Sequence, residues 1–369
     1  MVNYLTHLTS IVPRLPPAID GVGDYALNLA RQLRQDFNIQ THFIVGNTKW
    51  NGAAEIDGFP VSQVSDRSPD ALLDLLSTDR SSSILLHYVG YGYAQRGCPV
   101  WLVDGLQRWK SLFPKRSLVT MFHEVYASGP PWTSSFWLSP LQKNLAARLA
   151  QMSDQSRTSL QNVERLLSQL SSRQFILILS LPVFSTMGEA EEILSLANRQ
   201  QRLVIFGTYG RRLPIYQNSH DILLQIIQKL EITEILDIGK LLPLDLTKIC
   251  GVPVACLGEQ PPSVINYLLL DAVAGVIDYP ANILAKSTIF AAYCAHGLLP
   301  IVIGTKDLTE EVDGLMSGKH YWLPDWQTES LDMLLAQEIA NNAYLWYQNH
   351  NLSTHARTLV VQLREYNSI

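Results

Sequence analysis

Short apolar runs alternate with helical patterns along this chain, and the alternation restarts near its middle. No other feature of the sequence narrows the fold as far. In the first half, residues 5–12, 41–45, 83–88 and 117–122 read as strands. Residues 25–35, 70–77, 100–113 and 136–152 read as helices, with Asp24 as N-cap to the first and Pro69 at the first turn of the second. A polar helical segment, 159–173, precedes the apolar run 175–181, and Pro182 with the stretch up to Glu189 reads as a connector. Strands at 203–206, 234–238, 253–257, 274–277 and 300–303 then interleave with helices at 216–230, 244–250, 263–270 and 289–296. Two further helices, 329–349 and 354–366, close the sequence.

Such alternation builds a parallel sheet with helices on both faces. The chain of 369 residues is long enough for two such units at roughly 100–200 residues each. The expectation is an α/β protein of two Rossmann-like, doubly wound domains facing one another across a cleft. Ligands of such sheets lie outside the carboxyl ends of the strands, so residues just after each strand carry the functional weight.

Composition removes several function classes. At 47% hydrophobic and 17% charged the chain is too apolar for wholesale disorder. A formal net charge of −5 gives no basic footprint for nucleic acid, which is bound through phosphate neutralisation. Cys98, Cys250, Cys256 and Cys294 form no C-x-x-C pair and read as small buried hydrophobes. The first residues lack the layout of a signal peptide, and no apolar run reaches the roughly 20 residues that span a bilayer. The expectation is a cytoplasmic protein without a transmembrane segment, and peripheral contact with a membrane stays open. Asn351-Leu352-Ser353 matches a glycosylation sequon, a chance match without secretion.

Four segments carry chemistry. Gly21 and Gly23 follow the first strand and open a helix, where main-chain amides favour an anion. A tight strand-to-helix turn would account for the same glycines, and Leu27 breaks the dinucleotide fingerprint. His123 and Glu124 end the fourth strand and could bind sugar hydroxyls or simply stitch that strand end to its loop. No zinc site is expected, because Ala127 stands where a second metal-ligating histidine would. Gly207 and Gly210 with Arg211 and Arg212 suit a diphosphate through paired guanidinium donors, or form a solvated basic turn. Lys240, after the next strand, is a further candidate phosphate contact. Asp278 ends a strand, and Lys286 with Ser287 opens a helix, as an anion site or with Ser287 as N-cap alone.

In their order along the chain, these segments resemble the GT-B glycosyltransferases, in particular the family 4 type. The features that carry the likeness are the Gly21–Gly23 loop, the His123-Glu124 strand end, the 182–189 connector, the 206–212 loop and the segment 292–302 with Gly297 and Pro300. The resemblance implies an N-terminal acceptor-side domain, 1–173, a connector, 174–189, and a nucleotide-sugar domain, 190–349. It implies that a C-terminal helix, about 350–369, packs back on the first domain. By the same likeness Gly21 and Gly23 lie near the donor phosphates, and His123 with Glu124 acts at the donor sugar. Arg211 or Arg212 with Lys240 takes the diphosphate, while Asp278, Lys286 and Ser287 complete the donor site. One departure stands out. The family's two glutamates, separated by seven residues, are replaced by Leu284 and Ala292, or in a looser alignment by Asp278 and Lys286.

What the resemblance implies is a hexosyltransferase that uses a nucleotide-sugar donor and an unspecified acceptor, whether a sugar, a lipid-linked molecule or a small metabolite. It would retain anomeric configuration and need neither metal nor cofactor. The missing glutamate pair supports a different reading, a non-catalytic GT-B-fold binding or scaffold protein.

Overall fold

Parallel strand pairing organises the residues that the computed structural model describes, which are 6–79, 81, 83–171, 178–304, 310–324 and 331–366. They divide into two units, Met1–Leu181 with Leu352–Ile369, and Pro182–Asn351, each with its own sheet and core.

The sheet of the first unit contains β1 (His7–Val12), β2 (Gln40–Val45), β3 (Glu55–Ile56), β4 (Phe59–Gln63), β5 (Ser83–Tyr88), β6 (Ser117–Phe122), β7 (Gln155–Thr158) and β8 (Ile178–Ser180). Their order is β3-β4-β2-β1-β5-β6-β7-β8, parallel throughout except for the β3–β4 hairpin. The second unit contains β9 (Gln200–Phe206), β10 (Glu234–Ile238), β11 (Lys248–Ile249), β12 (Val252–Gly258), β13 (Ala272–Asp278) and β14 (Leu299–Ile303), in the order β11-β12-β10-β9-β13-β14. Both sheets are doubly wound. The chain runs outward from β1 and returns on its other side at β5, and it does the same at β9 and β13. These reversals are the topological switch points, where open sheets of this kind bind ligands.

Burial explains the apolar strand sequences. Every residue of β5 and β6 is buried, as a strand covered by helices on both faces requires. On one side of the first sheet, Leu86, Trp109, Phe122 and Leu145 pack together, and on the other Val12, Phe43 and Phe59. In the second unit Leu203, Ile235, Ile301 and Ile339 share one core.

The last helix, Leu352–Tyr366, belongs to the first unit and lies against helix Gly21–Phe37. The Gln362 carbonyl accepts from Gln155 Nε2 at 2.9 Å, and Gln362 Oε1 from Arg157 Nη1 at 2.7 Å. Tyr25 Oη and His355 Nδ1 lie 2.9 Å apart.

Several expectations are corrected. The first helix begins at Gly21, and Asp20, not Asp24, is its N-cap, taking the Val22 and Gly23 amides at 3.0 Å each. No helix forms at 244–250: its last residues enter a hairpin in which β11 pairs antiparallel with β12, because Cys250 (φ 49) and Gly251 (φ 85) adopt the left-handed turn that strand twist favours. The helix expected at 216–230 is two, Tyr209–Asn218 and His220–Lys229. Strand β7, Gln-Ser-Arg-Thr, has no apolar residue to betray it. Its polar side chains are buried under the last helix, which binds two of them. The run 175–181, the domain end at 173, the start of the connector at 174 and the start of the helix expected at 329–349 reach outside the described residues.

Candidate functional site

At the carboxyl end of the first sheet, the amides of His123 and Glu124 both donate to the Tyr88 carbonyl, at 3.0 and 3.4 Å. This fixes the segment after β6 against the end of β5. His123 Nε2 then lies 3.1 Å from Nδ1 of His87, a buried residue of β5, and the two rings stack at 5.4 Å. Tyr25 meets both edge-on, at 5.8 Å from His87 and 5.1 Å from His123. Burial, with lesser effects from His123 and Arg157, holds the His87 imidazole well below its ordinary pKa, so it stays neutral. The half-exposed His123 therefore leans on a neutral histidine. Glu124 is exposed.

The glycines at the start of the first helix have a packing role. A Cβ on Gly23 would stand 2.3 Å from the Arg14 carbonyl oxygen, so the strand-to-helix turn needs a glycine there. Gly21 faces open space. The Asp20 carboxylate already occupies the Val22 and Gly23 amides. Beside it, burial and then the charge of Asp20 push the Asp24 carboxyl up to about 6. This helix start is lined with carboxylates and its cap is filled, which corrects the expectation of an anion cradle at Gly21 and Gly23.

In the second unit the neighbouring arginines take different positions. Arg212 is fully buried. Its Nε donates to the Gly207 carbonyl at 2.9 Å, one terminal nitrogen pairs with Asp237, and the other donates to the Lys240 carbonyl. Tyr216 Oη donates to the remaining Asp237 oxygen at 2.8 Å. Arg212 thus braces the loops after β9 and β10 and offers nothing to a ligand, a correction to its expected donor role. Gly239 (φ 138) permits this approach, since a Cβ there would lie 2.4 Å from the Gly207 oxygen.

Arg211 is exposed at the switch point. Its guanidinium lies over the Tyr279 ring at 4.4 Å, with Nη1 3.4 Å from the Asp278 carbonyl oxygen. Directly after β9, helix Tyr209–Asn218 begins at Thr208, whose side chain makes no capping bond, and Gly210 leaves its first turn open. Amides of an uncapped first turn and an exposed guanidinium meet at this edge. Lys240 is exposed on the adjacent loop, and Lys286 is half-buried at the end of the short helix Ala281–Lys286. Burial raises the Asp278 carboxyl despite Arg211. A Cβ on Gly304 would sit 2.1 Å from its Oδ1, so the carboxylate occupies the space a side chain there would need. Ser287 is buried and caps helix Thr288–Ala295, accepting from the Phe290 amide at 3.2 Å, so its oxygen is engaged as an N-cap.

The sequence pattern singles out neither His87 nor His355, and it gives no role to Tyr25 or Tyr279, which lie within two of the four segments. His87 was the detectable one, a lone imidazole in the run Ser-Ile-Leu-Leu-His-Tyr just before a strand's carboxyl end. Among the described residues, no group of three or more His, Cys, Asp or Glu is placed to hold a metal ion. Among them, too, no helix is long and apolar enough to cross a membrane.

No protein-family model matches the chain, and no curated protein matches it. Solved structures match it nearly end to end. An α,α-trehalose 6-phosphate synthase from Burkholderia multivorans superimposes with a TM-score of 0.60 at 12% identity, covering 98% of this chain and 97% of the other. An α-glucosyltransferase, in complex with UDP and a 13-mer DNA containing an HMU base, gives 0.58 at 9% identity, covering 97% and 99%. A putative UDP-N-acetylglucosamine 2-epimerase from Listeria monocytogenes gives 0.53 at 11%, covering 96% and 94%. The fold is that of the GT-B glycosyltransferases: two α/β units, each with a parallel-rich, doubly wound sheet.

Proposed function

We propose that this protein is a glycosyltransferase of the family 4 type that moves a hexose from a nucleotide-sugar to an acceptor hydroxyl. One observation carries the donor assignment. In the second unit, Arg211 and the uncapped first turn of helix Tyr209–Asn218 converge at the switch point between β9 and β13. As the glycosidic bond to the donor breaks, charge grows on the departing diphosphate. Preorganised amides and cations lower the energy of that charge more than that of the bound donor, which is what accelerates transfer. Arg211 and the amides are the principal contacts, with Lys240 and Lys286 contributing charge at the same edge. Transfer then needs no metal and no protein nucleophile, and the sugar keeps its anomeric configuration. In the looser alignment Asp278 supplies one carboxylate where the family has two, and in the other Leu284 and Ala292 supply none. In the first unit, His123 orients a sugar hydroxyl, held by His87 and Tyr25, and Glu124 stands exposed beside it. The structures of the α-glucosyltransferase with UDP and of the UDP-N-acetylglucosamine epimerase support a uridine nucleotide as the first donor to try.

The test is a thermal-shift panel of nucleoside diphosphates and their sugars. A ligand at 100 times its dissociation constant stabilises by about 2.7 kcal/mol, and UDP or a UDP-sugar should give such a shift without added metal. If no nucleotide shifts the protein, the non-catalytic scaffold reading takes its place.

A further inference from the structure

We propose that Ser62, His42 and Asp79 of the first unit form a second catalytic site, in which Ser62 is the nucleophile for hydrolysis of short-chain carboxylic esters. Strand pairing brings the three together. His42 of β2 lies opposite Thr9 of β1, and Ser62 of β4 lies opposite Ile44, two residues beyond His42. With a side-chain period of two, Thr9, His42 and Ser62 share one face of the sheet. Asp79 follows helix Pro69–Thr78 and precedes β5, so it reaches that face from the amino edge, opposite the edge that carries His123.

The contacts run in the order that nucleophilic catalysis requires. His42 Nε2 lies 2.9 Å from Ser62 Oγ, and His42 Nδ1 lies 3.6 Å from Asp79 Oδ2. A carboxylate beside Nδ1 favours the proton on that nitrogen, which leaves Nε2 to accept from the Ser62 hydroxyl. Base-to-acid contacts of this kind are often looser before substrate binds. Asp79 is itself held. The Ser81 amide donates to its Oδ1 at 2.9 Å, while Ser81 Oγ at 3.3 Å and Thr9 Oγ1 donate to its Oδ2. Burial alone would raise the Asp79 carboxyl, but the contacts with His42 and Ser81 hold it below the ordinary value, so it stays ionised.

Exposure rises along the cluster. The Asp79 side chain is 11% exposed, that of His42 is 27% exposed, and Ser62 is half-buried, so the acid is closed in while base and hydroxyl reach solvent. Thr9 and Ser81 already satisfy Asp79, and a purely structural carboxylate would not call for an imidazole with a serine on its far side. Acyl transfer needs one nucleophile and one proton carrier, and these are what the cluster supplies. Ser62 Oγ bonds to the ester carbonyl carbon as its proton passes to His42 Nε2. The bond from that carbon to the alcohol oxygen then breaks, and the alcohol leaves with the proton. Water next gives a proton to His42 and attacks the acyl carbon, Ser62 Oγ departs and takes the proton back, and the carboxylic acid is released.

The experiment treats the full chain with a fluorophosphonate, maps the adduct by peptide mass spectrometry, and follows hydrolysis of p-nitrophenyl acetate. The wild type should carry the label on Ser62 and turn over the acetate. Ser62→Ala and His42→Gln should each lower turnover by at least about a hundredfold, and His42→Gln should slow the labelling as much. Asp79 acts through His42 as a positioning residue, so Asp79→Asn should lower kcat at least about tenfold and leave KM nearly unchanged. Melting curves of the four proteins separate these effects from loss of fold, and the label on the wild type decides the nucleophile even where a variant does not fold. No label on Ser62, labelling indifferent to His42→Gln, or labelling without turnover of the acetate overturns the proposal. So does a folded Asp79→Asn variant with wild-type kcat. The nucleotide panel reads the second unit separately, so failure of this site and failure of the donor site are told apart.

Discussion

Arg212 pairs with Asp237 out of reach of solvent, while Arg211, one residue earlier, lies on the surface over Tyr279. Two adjacent guanidinium groups thus leave one helix turn in opposite directions. The inward one ties the loops after β9 and β10 together, and the outward one is exposed at the switch point, where the proposed donor site lies.

The buried member should govern stability. Arg212→Ala leaves Asp237 charged in the interior, with Tyr216 as its remaining partner, and removes the brace on Gly207 and Lys240. Breaking a buried pair from one side costs about 3–5 kcal/mol, and urea unfolding should show a loss of that order. An Arg212→Ala variant as stable as the wild type would falsify the brace.

The exposed member should govern affinity. Arg211→Ala should leave the urea midpoint nearly unchanged and weaken nucleoside diphosphate binding at least tenfold, since a charge-assisted hydrogen bond contributes about 1.5–3 kcal/mol. Lys240→Ala and Lys286→Ala should weaken it less, and the parent nucleoside should be indifferent to all three. Calorimetry measures each constant. If none of the three substitutions changes diphosphate affinity, the donor lies elsewhere.

The two glycines of the first helix should part company. Gly21 has open space around an added Cβ, so Gly21→Ala should hold or raise stability by about 0.4–1 kcal/mol through the unfolded chain. Gly23→Ala must displace the Arg14 carbonyl and should cost about 1–3 kcal/mol. Thermal unfolding of both variants checks the contrast, and equal effects would contradict the packing role of Gly23.

Stability should fall in mild acid, partly through His350. Burial pushes its pKa down to about 3, and both ring nitrogens lack partners among the described residues. Unfolded, the imidazole takes a proton near 6.5. Between those values the unfolded state binds more protons, so stability is lost as the pH falls from about 6.5 toward 3. Between pH 7.5 and 5 this one group contributes about 2 kcal/mol of loss. His350→Phe keeps an aromatic ring against Trp346 and Tyr347 and should shrink the pH dependence by about that amount. An unchanged dependence in denaturant titrations at the two pH values contradicts this.

His123 should matter to turnover more than to folding. With the donor identified, His123→Ala should cut transfer at least tenfold, about 1.4 kcal/mol of transition-state stabilisation. His87→Phe fills the same buried space but removes the 3.1 Å contact, and should lower kcat while nucleotide affinity holds. A His123→Ala variant with normal turnover and a much lower melting temperature assigns the residue to structure instead.

The sequence by itself determined the two doubly wound units. Parallel strands covered on both faces must be mostly apolar, as Leu299–Ile303 is throughout and as Ser83–Tyr88 and Ser117–Phe122 are apart from Ser83, His87, Ser117 and Thr120, and that pattern is local. It also determined which strand ends carry candidate chemistry, because His123 directly follows an apolar run and Arg211 lies in the loop and helix start that follow another. Pairing decided the rest. Strand β7 is polar and legible only beneath the helix whose Gln362 satisfies it. Residues 244–250 have helix-like spacing yet end in a hairpin, because Cys250 and Gly251 take left-handed angles that let Lys248 and Ile249 reach Pro253 and Val252. Arg211 and Arg212 are one basic dipeptide in the sequence. Only the tertiary structure buries Asp237 beside one and sets Tyr279 beneath the other, because burial and partner depend on chain segments more than twenty residues away.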